Sequence, residues 1–157
     1  VVATIQQSLA TCRAHLDNIP DSDLTKTEVE SRLVAGLVLL IVSEYEVLIG
    51  QLFKQRVAQC GDPHVCNYFG KSIARRFWPR LATISEVLGM FGEDYRHQFL
   101  STIQHTPEHA AWDNIVAERH AVAHKSGPRQ MTLGDLISAF PDSWGVIAAL
   151  KQALGLP

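Results

Sequence analysis

Apolar residues recur along this chain at spacings of three and four, and nowhere in the alternation of two that a half-buried strand requires. Ile5, Leu9, Cys12 and Leu16 fall on one face of a first helix expected from Thr4 to Leu16, followed by a turn-rich linker from Asn18 to Thr25. From about Thr27 to Ala58 runs the longest and most apolar periodic stretch, with Val34, Leu37, Ile41, Leu48 and Leu52 as its core stripe. Residues 59–70, QCGDPHVCNYFG, read as a loop from their Gly, Pro and Asn content. Helical spacing returns over 71–91, interrupted at Trp78 and Pro79, and again over 93–104, where Tyr95, Phe99, Leu100 and Ile103 form the apolar side. Thr106 to Gly127 carries a further helix. Thr132 and Asp135 then have the spacing of a capping box for a helix bearing Leu133, Leu136, Ile137 and Phe140. Pro141, Asp142 and Ser143 are expected to break that helix, and Trp144 to Leu154 to form the last one. The pattern predicts an all-α bundle of about five or six helices around one long central helix, with no internal repeat.

Composition narrows this picture. The 157 residues, 46% apolar and 19% charged, suit a single globular domain over 1–157 rather than a disordered chain. The longest apolar run, Leu33 to Val42, falls short of the roughly 20 residues that a membrane span requires. Three cysteines cannot make a full disulfide framework, which fits a reducing, cytoplasmic setting. A net charge of −2 argues against a generic, strongly basic nucleic-acid binder, so an RNA substrate must be met by a local basic patch or bound transiently.

The stretch from Thr106 to Gly127 concentrates the chemistry. Thr106 is a natural N-cap, Pro107 suits the first helical position and Glu108 the positive end of the helix dipole. Gly127 fits the left-handed position after the last turn, and Pro128 blocks continuation. Trp112, Ile115, Val116, Val122 and Ala123 recur at helical spacing, and Arg119 falls on the same stripe. A guanidinium there needs a partner, a cleft or an interface, because an unpaired buried cation is prohibitively costly. Glu44 lies on the stripe of the long helix and is the expected partner; the alternative places it at the helix edge, facing water. His120 and His124, four residues apart, stack on one face and titrate near neutral pH.

The run Arg119, His120, Ala121, Val122, Ala123, His124 resembles the signature of the HEPN superfamily: arginine, a polar residue, three residues, histidine. The spacer and the polar second residue match. The glycine that often follows the histidine is displaced to Gly127, beyond Lys125 and Ser126. The resemblance, which extends to the RiboL-PSP-HEPN and MAE-like branches, implies a small all-helical domain and metal-independent endoribonuclease activity without a cofactor. It also implies a homodimer with a composite active site, a toxin or defence role, and a cognate antitoxin protein as partner. RNA carries its own nucleophile, the 2′-hydroxyl beside each phosphate, so cleavage needs a base, an acid and a cation. On the resemblance, Arg119, His120 and His124 form the site: His124 is the expected principal acid/base residue, Arg119 holds the phosphate and His120 assists; Glu44, from its place on the stripe of the long helix, is expected to orient Arg119.

Other residues leave two readings open. Lys71, Arg75, Arg76 and Arg80, interleaved with Phe77 and Trp78, form either an RNA-tracking ridge or a solvated face. Cys60, His64 and Cys66 lack the tight CxxC spacings of a zinc site and read as buried thiols beside a surface histidine, or as metal ligands. His105 and His109 flank a helix cap, which makes a shared face doubtful on geometric grounds. The functional alternatives are a non-catalytic HEPN-like helical module that binds RNA, a nucleotide or a partner protein, and a metal-dependent helical hydrolase.

Overall fold

The computed structural model describes residues 2–20, 25–73, 79–124 and 131–157. Among these lie seven helices and no strand: α1 (Val2–Asp17), α2 (Thr25–Ala58), α3 (Pro63–Ile73), α4 (Leu81–Phe91), α5 (Glu93–Ile103), α6 (Pro107–His124) and α7 (Leu133–Ala153). The all-α expectation holds. The count rises because α3 occupies much of the stretch expected to be a loop. Its Gly and Pro mark a helix start instead. The Asp62 carboxylate accepts the backbone N–H groups of His64 (2.8 Å) and Val65 (3.3 Å), its carbonyl accepts that of Cys66 (3.0 Å), and Pro63 opens the helix. The expected break at Pro141 does not occur either, and α7 runs through it. A proline inside a helix costs roughly 3 kcal/mol. Here burial of Phe140, Ser143, Val146 and Ile147 on the same helix offsets that cost.

The 34-residue helix α2 is the hub, packing against α1, α3, α6 and α7. Its best 18-residue window has a mean hydropathy of 2.0, so by length and composition it is apolar enough to cross a membrane, contrary to the sequence expectation. That apolarity serves two faces. Val34, Val38, Ile41, Val42, Tyr45, Ile49 and Phe53 are buried in the core, while Leu39, Leu40 and Val47 remain 43%, 41% and 51% exposed.

Tyr45 is the centre of the core. Its ring stacks on Trp112 of α6 (centroids 4.2 Å apart, 16° between planes) and meets Trp144 of α7 edge-on at 5.8 Å. Its hydroxyl hydrogen-bonds the Ser143 hydroxyl, which donates in turn to the Phe140 carbonyl at 2.6 Å. The helix directions follow from such pairings. Glu30 near the start of α2 accepts the N–H of Leu133 at the start of α7 (2.9 Å), and Tyr45 meets Ser143 further along both, so these two helices run in the same sense. Gly145 of α7 abuts Glu108 at the start of α6, while Asp135 and Ala121 line one cleft towards the other end. Helix α6 therefore runs opposite to both.

Candidate functional site

Helix α6 is capped and anchored as its sequence suggests. The Thr106 hydroxyl accepts the N–H of His109 at 3.4 Å. The Glu108 carboxyl is held below its usual range by its own backbone N–H and then by the Thr106 hydroxyl. Trp112 donates its indole N–H to the Pro79 carbonyl at 2.6 Å, fixing the helix against the turn before α4.

The last two turns of α6 present the motif. His120 and His124 are both exposed, with ring centroids 4.3 Å apart and planes tilted by 48°. They sit at the carbonyl end of the helix. Arg119 is half-buried and lies more than one turn before His124. Arg119 and His124 are separated by about 140° around the helix and about 7.5 Å along it, so one helix does not close both around one phosphate.

Expected core positions on two helices need correction. Among the charged residues of α6, the buried one is Glu118, 6% exposed, whereas Arg119 is half-buried and Ala123 exposed. The buried arc centres on Ala111, Trp112, Ile115 and Glu118, one step round from the stripe chosen by spacing. On α2 the same rotation puts Tyr45, rather than Glu44, at the centre of the core; Glu44 and Leu48 are half-buried at the margin. No ion pair joins Glu44 to Arg119 among the described residues. The antiparallel register explains why. Tyr45 lies opposite Trp112, so Arg119, seven residues beyond Trp112, lies about 10 Å further along the axis, toward the start of α2 and away from Glu44.

The remaining candidates are dispersed. Lys71 at the end of α3 and Arg80 before α4 are exposed, as a solvated face or an RNA ridge would both require; Arg75 and Arg76 lie outside the described residues, as does Gly127. His105 adopts a left-handed backbone (φ 65°) between α5 and α6, and His109 pairs with Asp113 on α6 at 3.2 Å, so the two do not act from one helical face. Cys60 is exposed and Cys66 half-buried, not buried thiols as expected. No cluster of three or more His, Cys, Asp or Glu is placed to hold a metal ion among the described residues.

Sequence reasoning missed a cleft of about 740 Å³ between α6 and α7, lined by Ala110, Asn114, Ala117, Ala121, Glu118 and Asp135 among others. The signal was present: small residues at 110, 117 and 121, with Asn114 between them, repeat at helical spacing on one flank of α6. Ala121, which follows His120 directly in the chain, lines the cleft. Glu118, Asp135 and Asp142 give it a negative lining that repels a phosphodiester.

Comparison with protein-family models, curated proteins and solved structures found no match for this chain.

Proposed function

We propose that this chain is a metal-independent endoribonuclease that cleaves RNA by 2′-hydroxyl transesterification. The observation that carries the reading is the pair of exposed imidazoles, in contact and tilted to one another, near the end of α6, adjoining a half-buried arginine. His124 removes the 2′-hydroxyl proton or returns one to the departing 5′-oxygen. The 2′-oxygen attacks phosphorus, the bond to the 5′-oxygen breaks, and a 2′,3′-cyclic phosphate remains. Arg119 donates hydrogen bonds to the phosphate oxygens as charge builds on them, which its planar, permanently charged fork suits. His120 orients the phosphate or shares the proton transfer. Glu44 is left out of this machinery, because it forms no pair with Arg119.

Since one helix does not close Arg119 and His124 on one phosphate, the proposal includes a homodimer in which two α6 helices complete each cleft. A toxin or defence role, with a cognate antitoxin protein as partner, is part of the same proposal and rests on the resemblance of the motif alone.

The test is mixed RNA incubated with purified protein in excess EDTA. Wild type is expected to cut and leave cyclic-phosphate ends. His124→Ala and Arg119→Ala are expected to lose at least about 100-fold in rate, and Glu44→Gln to stay within about threefold of wild type. Cleavage that survives both α6 changes would remove the proposal. A second reading, a non-catalytic helical module that binds RNA, a nucleotide or a protein, is favoured by the net charge of −2 and the acidic lining of the neighbouring cleft. Binding without cleavage in the same assay selects it.

A further inference from the structure

The junction of α2 and α3 brings two thiols together. The chain leaves α2 at Ala58, turns through Gly61 in a left-handed conformation (φ 73°) and re-enters helix at Pro63. This turn folds Cys60 back over the first turn of α3, and its Sγ lies 3.8 Å from that of Cys66. A disulfide needs about 2.05 Å between sulfurs. The remaining gap is within the reach of side-chain rotation, and Cys60 is exposed while Cys66 is half-buried, so a small reagent reaches the pair. Cys12, the third thiol, packs against the core from α1 instead.

We propose that Cys60 and Cys66 form a dithiol modification site that low-molecular-weight disulfides oxidise to an intramolecular bridge. This inference stands independently of the RNase reading. The exposed Cys60 thiolate attacks one sulfur of the small disulfide, forming a mixed disulfide and releasing one thiolate. Cys66, after losing its proton to solvent, attacks the Cys60 sulfur and displaces the second thiolate. Two protein thiols are thereby oxidised and one small disulfide is reduced to two thiols. The order of attack follows from the surroundings. Cys66 donates to the Val57 carbonyl at 3.5 Å, and burial, together with the neighbouring Cys60 and Asp62, pushes its thiol up. It suits the resolving role, in which the attacked sulfur is already held beside it.

The bridge would act on a weakly held element. Helix α3 contributes no fully buried side chain among the described residues, and its apolar contact is made by the half-buried Phe69 against Phe91 at 4.9 Å. A bond from Cys60 to Cys66 ties its first turn to the end of α2.

The experiment incubates the full chain in graded ratios of oxidised to reduced glutathione, followed by alkylation, intact mass and peptide mapping. Wild type is expected to lose about 2 Da, the two hydrogens of a disulfide, with Cys60 and Cys66 linked, Cys12 still alkylated and the chain monomer-sized on a non-reducing gel. Cys66→Ser is expected to stop at a glutathione adduct on Cys60. Amide exchange over 66–72 is expected to slow in the oxidised chain and to return to its starting rate on reduction. Three thiols still free at the most oxidising ratio, pairing through Cys12, or wild type resting as a stable adduct would each overturn the proposal. So would unchanged exchange in a chain shown by mapping to carry the bridge.

Discussion

Changing Tyr45 to Phe isolates one buried hydrogen bond at the centre of the fold. The ring is fully buried, so its stacking on Trp112 is expected to survive and only the hydroxyl is lost. The proton of Ser143 is committed to the Phe140 carbonyl, so Tyr45 is the donor in its bond to Ser143. Removing that donor costs about 1–2 kcal/mol, since Ser143 keeps one bond. For a chain of this size that is a fall of about 2–8 °C in Tm. Ser143→Ala is expected to cost more, because it strands a buried phenol with no acceptor. The double variant should fall short of the sum by about 1 kcal/mol or more. Urea unfolding followed by tryptophan fluorescence reads each value as a change in midpoint at constant slope. The reasoning fails if the two changes add to within about 0.3 kcal/mol. The same pair sets the alkaline limit. Burial pushes the Tyr45 phenol well above its ordinary range. A folded pKa above the unfolded one means that the folded chain keeps a proton which the unfolded chain releases. The associated stability is therefore complete below about pH 10 and declines as pH rises beyond it. Tyr45→Phe should flatten that decline.

Two further changes probe the frame around the site. At Gly145 a Cβ would lie 2.9 Å from the Cβ of Glu108 and nearer still to its Cγ. The gain of about 1 kcal/mol in helix propensity is therefore expected to be outweighed by an overpacking cost of about 1–3 kcal/mol; a higher urea midpoint for Gly145→Ala would show that Glu108 swings aside freely. Thr132→Ala removes the hydroxyl that accepts the Asp135 N–H at 3.1 Å and donates to its carboxylate at 2.7 Å, and is expected to lower Tm by about 2–4 °C. The Thr132 side chain and then its backbone hold Asp135 below the usual carboxyl range, so this contribution is present above that range and is lost as pH falls through the depressed value. Midpoints measured at about pH 6 and pH 3 should converge between wild type and Thr132→Ala at the acid end; an undiminished difference at pH 3 would contradict the assignment.

Local signals in this chain are legible where they concern residues within one helical turn. The Thr106 cap, Pro107 as the opening residue of α6 and the reciprocal bonds of Thr132 and Asp135 were all legible, because a cap is made by neighbours three residues apart. Gly61 and Pro63 were recognised as punctuation but assigned to the wrong side of it: they begin α3 rather than fill a loop. At Pro141 propensity opposes a helix, and only the packing of Phe140, Ser143 and Val146 overrides it, which no local signal shows.

The sequence by itself determined that the chain is helical, where most helices begin and end, and that an arginine and two histidines lie in the last two turns of α6. All of this follows from periodicity and short-range hydrogen bonding. Only the tertiary structure decided which arc of each helix is covered. Tyr45 rather than Glu44 lies at the centre, Glu118 rather than Arg119 is enclosed, and Cys60 meets Cys66 across a turn. A step of one residue rotates a side chain by about 100°. The choice between neighbours is therefore made by where α2, α6 and α7 cross, which depends on residues a hundred positions apart, such as Tyr45 and Ser143.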